Sequence, residues 1–264
     1  AADFGDGEEA APAVGEGDTT EDGWVKMSAY RPSYADSTME AKYDEQTQTL
    51  YLRVSQPEEM KDLGNSIGAP WYEYLKEKDA VTEVKKVVIG EGITRVGNKN
   101  FNTLERVSGT DFFDSLEEVV LPSTVTEIGT QAFASDKSLK KINLENVSKI
   151  GQGAFTNTAL ESVTFNTDEV TLEGNVFAGS SIKSFRAKKV KLTGNDTFYN
   201  CKSLNSFEVE SGLEEIPEET FMECGSLSSF DFSKVKNIGD YAFDSCKLEK
   251  VEFGEAEVTL GLSA

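Results

Sequence analysis

Seven phenylalanines recur at a nearly fixed interval: Phe101, Phe133, Phe155, Phe177, Phe198, Phe221 and Phe243. The steps are 32, 22, 22, 21, 23 and 22 residues, so the copies keep one register and the first interval holds about ten extra residues. Self-similarity of this period marks a repeat architecture, because each unit is too short to bury its own apolar face. Sixteen or seventeen residues before each Phe, an apolar residue opens a triplet; the openers are Val84, Leu116, Leu139, Leu160, Ile182, Leu204, Leu227 and Leu248. Three residues on come Val87, Val119, Ile142, Val163, Phe185, Phe207, Phe230 and Val251. Five on come Ile89, Leu121, Leu144, Phe165, Ala187, Val209, Phe232 and Phe253, among which only Ala187 is small.

The third and fifth positions after an opener share one face of a short strand. A second apolar pair follows, as in Val125 and Ile128, Val147 and Ile150, or Val235 and Ile238. Then comes Gly129, Gly151 or Gly239, suited to a turn or to a close approach of backbones. The Phe returns the chain to the core. The pattern predicts a mainly β repeat solenoid over residues 84–264, about eight coils with the last incomplete, its strands parallel and ~4.8 Å apart. By register the next Phe falls one residue past Ala264, and the native chain is expected to continue.

Residues 24–83 lack the repeat. "STMEAKY" and "QTLYLRV" alternate apolar and polar around "DEQT", which predicts a β-hairpin, with a shorter strand at Trp24–Tyr30 and a helical patch at 72–78. The opening coil of a solenoid exposes a cross-section of core and needs a cover. Residues 24–83 are therefore expected to be an N-terminal β cap with Trp71 buried against the first coil. The alternative role for Trp71 is carbohydrate stacking. Residues 1–23 are acidic, small and Gly-rich, the composition of a disordered tether between an anchor and a folded body. The chain opens without Met, as a trimmed or mature terminus would.

Charge narrows the partners. The chain carries 47 acidic and 26 basic residues, a formal net charge of −21. A nucleic-acid binder needs the opposite sign to release phosphate counterions. The same charge opposes adsorption to anionic lipid and favours a monomer. No apolar run approaches the ~20 residues that span a bilayer. There is no His, which removes the Ser-His-Asp and Cys-His arrangements and His metal sites.

Cys201, Cys224 and Cys246 each follow a repeat Phe by three residues and so form a column on consecutive coils. Neighbouring backbones fall within disulfide range, but parallel Cβ vectors disfavour the bond. Zinc wants four tetrahedral ligands, which three Cys without His do not supply. A row of small buried thiols is the simplest reading, one disulfide the alternative; Thr158 and Ser180 hold the same position in other coils. Carboxylate pairs such as Glu117-Glu118, Glu214-Glu215 and Glu218-Glu219 fit a solvated face rather than a catalytic pair across a cleft. There is no ordered Asp-x-Asp-x-Asp calcium loop and no phosphate-cradling Gly loop, and the sequence predicts no catalysis, cofactor or metal.

The pattern Ile-Gly-x-x-Ala-Phe-x-x-Cys followed by Ser-Leu and an alternating apolar pair resembles the BspA-like, Treponema-type leucine-rich repeat. "LEEVVLPSTVTEIGTQAF" at 116–133 carries it most fully, and the motif covers about 84–260. Ala69-Pro70-Trp71-Tyr72 resembles the segment that precedes the first repeat in that family. Positions 170–198, "VTLEGNVF" and "VKLTGNDTF", depart from it by displacing the Gly and losing the Ala, which predicts local distortion of two coils. The resemblance implies a right-handed leucine-rich-repeat solenoid, extracellular and at the bacterial cell surface, that adheres to protein or glycan on host or neighbouring cells. A structural spacer or recognition module within a larger surface protein is the alternative.

Solenoids commonly bind along the exposed strand face. The candidate binding face comprises Lys85, Lys86, Val88, Glu118, Val120, Lys141, Asn143, Ser162, Thr164, Ser184, Arg186, Ser206, Glu208, Ser229 and Asp231. It grades from basic and apolar near the first coil to small and acidic near the last, and a plain solvated sheet is the other reading of it. The insertion around "SGTDFFDS" offers Phe112 and Phe113 either as seam-covering core or as a contact pair.

Overall fold

A computed structural model describes residues 18–104 and 109–264. The expected tether lies outside the described residues over 1–17. Residues 18–23, assigned to it from composition, are instead bonded to the body. Thr19 bridges Val25, and the Gly23 amide donates to the Thr20 carbonyl across a turn.

The cap opens with β1 (Val25–Lys26), β2 (Glu40–Asp44) and β3 (Thr49–Arg53), paired antiparallel in that order. Helix α1 (Pro70–Lys76) follows, with Pro70 in its first turn, where its missing N–H costs nothing. Strand β3 then pairs in parallel with the first repeat strand, Lys86–Ile89, so cap and solenoid share one sheet. Trp71 is fully buried between Tyr34 and Phe101, its ring 5.5 Å from that of Phe101. Its burial removes the carbohydrate-stacking role.

Each coil has three sides. The first carries the strands Lys86–Ile89, Glu118–Val120, Lys141–Ile142, Ser162–Thr164, Ser184–Ala187 and Ser206–Val209. The second carries short parallel strands from Arg95–Val96 through Thr259–Leu260. Paired positions are like with like, Val163 beside Phe185 beside Phe207, because every coil repeats the same inward pattern. The third side holds the Phe and has no strand. It is nonetheless hydrogen-bonded from coil to coil: the amides of Phe101, Phe133, Phe155, Phe177, Phe198 and Phe221 each donate to the carbonyl just before the next Phe, at 2.8–2.9 Å.

The seven repeat Phe rings form one continuous stack. Successive centroids lie 5.2–5.7 Å apart with planes within 16° of parallel. Each buried ring contributes about 2–3 kcal/mol of gross burial. A second row, Phe185, Phe207 and Phe230, stacks at 5.0 and 5.6 Å and meets the first edge-on. The predicted distortion over 170–198 does not break the stack. Val176 and Thr197 occupy the missing Ala positions and are fully buried, and the rings on either side are 5.7 Å apart. The insertion lies as seam-covering core: Phe113 packs edge-on against Phe101 and Tyr72, and Phe112 is 2% exposed.

Candidate binding surface

The inward alternation of the first side leaves two columns of outward side chains. One runs Lys86, Glu118, Lys141 and then, after a break in strand pairing, Ser162, Ser184 and Ser206, with each neighbour in register. The other holds Val88 beside Val120 and, further on, Thr164, Arg186 and Glu208. Ser229 and Asp231 continue the columns on the seventh coil as exposed residues outside any strand. Lys85 and Lys141 are exposed; Lys86, Val88, Glu118 and Val120 are half-buried. Charges alternate in sign along the first column, and Arg186 faces Glu208 at 3.8 Å with both side chains about two-thirds exposed. Such a pair is worth little to stability, which leaves both groups available to a partner.

Asn143 has a structural task as well. Its side-chain amide donates to the Leu121 carbonyl at 2.9 Å and accepts from the Leu121 amide at 2.7 Å. It imitates a main-chain neighbour where the strand ladder ends, and the donors and acceptors used there are committed.

The thiol column has a different logic from a reactive site. All three cysteines are free. The Sγ–H of Cys201, Cys224 and Cys246 donates to the carbonyl of Phe177, Phe198 and Phe221, each one coil back, at 3.0–3.1 Å. Burial pushes the Cys201 thiol up to about 12 and Cys246 to about 11, and pushes Cys224 up as well. These groups stay protonated and serve as short donors. Ser180 Oγ contacts Cys201 Sγ at 3.6 Å, and Thr158 donates to the Phe155 carbonyl. The same position in the second coil is Asp136, fully buried with no partner for either carboxylate oxygen.

Among the described residues, no three His, Cys, Asp or Glu side chains come together as a metal site, and no helix is long and apolar enough to cross a membrane. Of the acidic pairs, Glu219 is half-buried and accompanies Asp196. Burial and the bond to Glu219 raise the Asp196 carboxyl to about 6.

One cluster went unread in the sequence. Trp24 and Tyr51 lie on the outer face of the cap hairpin, ring centroids 6.4 Å apart and edge-to-face, with the Arg53 guanidinium 4.0 Å above the indole. The signal was present: in "TLYLR" the inward positions belong to Leu50 and Leu52, both essentially buried, so Tyr51 points outward.

A family model for the BspA type leucine-rich repeat region matches six copies over residues 80–195 and 171–264. The chain belongs to the BspA-type leucine-rich repeat family. Solved structures agree on the fold of this BspA-type solenoid. A leucine-rich repeat protein from Eubacterium ventriosum superposes with a TM-score of 0.58 at 22% identity, covering 86% of this chain and 67% of that one. The T. pallidum leucine-rich repeat protein superposes with a TM-score of 0.50 at 18% identity, covering 85% and 83%. No curated protein matches the chain.

Proposed function

We propose that this BspA-type chain is a non-catalytic recognition module of a bacterial cell surface. In this reading it binds protein or glycan of host or neighbouring cells through the outer face of its first sheet. The observation that carries this is the outer pair of columns: the inward residues are near-uniform and apolar, while the outward ones stand in register and change along the axis, from Lys86, Glu118 and Lys141 beside Val88 and Val120 to a run of serines beside Thr164, Arg186 and Glu208. A surface whose frame is invariant and whose exposed side chains vary is suited to recognition, and solenoids commonly bind along it. The net charge of −21 adds a preference for neutral or basic partners and against nucleic acid.

The test is an array of glycans and matrix proteins probed with the chain and with a Lys140→Glu, Lys141→Glu variant. Both lysines are exposed on the third coil. Binding that the variant weakens by about tenfold supports the face. Binding indistinguishable from background counts against recognition, and binding unaffected by the variant moves the site elsewhere.

A further inference from the structure

The cap carries a built cleft that the repeat motif does not explain. It is a shallow depression of about 630 Å³, open to solvent and lined by Trp24, Lys42, Tyr43, Asp44, Glu45, Gln46 and Tyr51. That volume is within the usual range for small-ligand pockets. Two large rings sit here on the solvent side of a hairpin whose opposite face already supplies the core through Ala41, Leu50 and Leu52.

The rings are held in place. The Trp24 amide donates to Thr20 Oγ1 at 3.0 Å, and the Thr20 amide returns a bond to the Trp24 carbonyl. Arg53 is fixed by Glu40 at 3.0 Å and lies over the indole, yet does not line the cleft. Lys42 Nζ donates to the Asp22 carbonyl at 2.6 Å and ties the turn before Trp24 across the hairpin. An indole braced in this way loses little freedom when a ligand settles against it.

We infer that the Trp24–Tyr51 cleft is a saccharide subsite, in which a neutral pyranose stacks its C–H face against the rings and hydrogen-bonds through its hydroxyls to the hairpin turn. The rim carries both donors and acceptors: the Gln46 amide, the Lys42 ammonium, and the carboxylates of Asp44 and Glu45. A polyol needs both at once. An anion would meet two carboxylates on a chain of net charge −21. A cation would meet Lys42, and the indole already serves one guanidinium. A neutral ring with an apolar face and a polar edge matches rings and rim together. The subsite goes beyond the repeat face proposed above, because it is built from the cap alone.

The chain has two tryptophans, and Trp71 is fully buried, so acrylamide quenching of tryptophan fluorescence reports on Trp24. The full chain is titrated with maltose, cellobiose, lactose, mannobiose and N,N′-diacetylchitobiose, and separately with a lysine-rich peptide. At least one sugar is expected to shield Trp24 saturably, and the Glu45→Ala, Gln46→Ala variant to weaken that by tenfold or more. Those substitutions lie on the exposed hairpin turn, so they read out even where Trp24→Ala fails to fold. The inference is overturned by quenching that no sugar alters, by sugar affinity that the turn variant leaves intact, or by shielding from the peptide alone. The Lys140 and Lys141 variant on the array tests the repeat face separately, so either reading can fail without the other.

Discussion

Asp136 is the residue most at odds with its surroundings. It occupies the position that Thr158, Ser180, Cys201, Cys224 and Cys246 fill in later coils, where hydroxyl and thiol side chains contact main-chain carbonyls or one another. A carboxylate offers only acceptors, and both oxygens of Asp136 are buried without a partner. Burial, with the Asp114 charge in support, raises its pKa well above the ordinary value. The sign follows from linkage: unfolded Asp136 releases its proton near pH ~4 while the folded form keeps it. Its contribution to stability is therefore complete below pH ~4 and is lost as pH rises toward the folded pKa. Asp136→Asn removes this dependence. The variant is expected to gain stability relative to the parent as pH rises from 4 to 8, by about 1.4 kcal/mol for each pH unit in which only the unfolded state has ionised. Urea unfolding at several pH values measures the difference. A gap between the two proteins that stays constant across that range would refute the assignment.

At the scale of the coil, the sequence showed what is buried and concealed how the backbone turns. The Phe register, the apolar triplets and the hairpin were legible because burial leaves a periodic apolar trace. The backbone bends of the third side left none. Its bends rest on left-handed residues two before each Phe and two after every Phe but Phe101: Lys99, Gln131, Gly153, Asn175, Asp196, Glu219 and Tyr241 before, and Ser135, Asn157, Gly179, Asn200, Glu223 and Ser245 after. Gly, Asn or Asp stand at six of these positions and suit that conformation, but Lys, Gln, Glu and Tyr do not favour it, so no single residue type marks the bends from coil to coil. The coil-to-coil hydrogen bonds of this side compensate. The outward columns were legible for a related reason. Alternation told which side chains face outward, but the Trp24 cleft joins a turn to a hairpin from different parts of the chain. The repeat glycines serve the second of their two expected uses, close approach. A Cβ on Gly151 would stand 2.5 Å from the Thr130 nitrogen and 2.8 Å from the Gly129 carbonyl carbon, whereas one on Gly225 would meet nothing within 4 Å. Gly151→Ala must push two backbones apart and is expected to cost about 1–3 kcal/mol, the usual range for overpacking. Gly225→Ala is expected to be neutral or slightly stabilising. Denaturation midpoints of the two variants decide, and equal midpoints would mean that the spacing between coils is not set by these glycines.

Across the whole molecule, stability is distributed along one axis, since each coil touches only its neighbours. The two ends of that axis differ. At the first coil the cap seats Trp71 on Phe101 and leaves both rings without exposure. At the last, Val251, Phe253, Leu260 and Leu262 are 48%, 42%, 59% and 62% exposed, and Phe243 is only half-buried. The final strand, Thr259–Leu260, pairs on one side, with the amides of Thr259 and Gly261 donating back to Lys236 and Ile238. A coil with fewer buried contacts and one hydrogen-bonded flank opens at lower free energy than one enclosed on both sides. For a polypeptide of residues 1–264, native-state hydrogen exchange is therefore expected to show strong protection of the Phe133, Phe155, Phe177 and Phe198 amides. Thr259 and Gly261 should exchange fastest among the amides hydrogen-bonded from coil to coil, by at least a hundredfold, equivalent to about 2.7 kcal/mol of local opening. The gradient should run from the last coil inward and leave the cap end flat, because Trp71 closes that end. Uniform protection from Phe101 to Gly261 would show that the stack opens as a single unit and that the exposed last coil carries no weakness of its own.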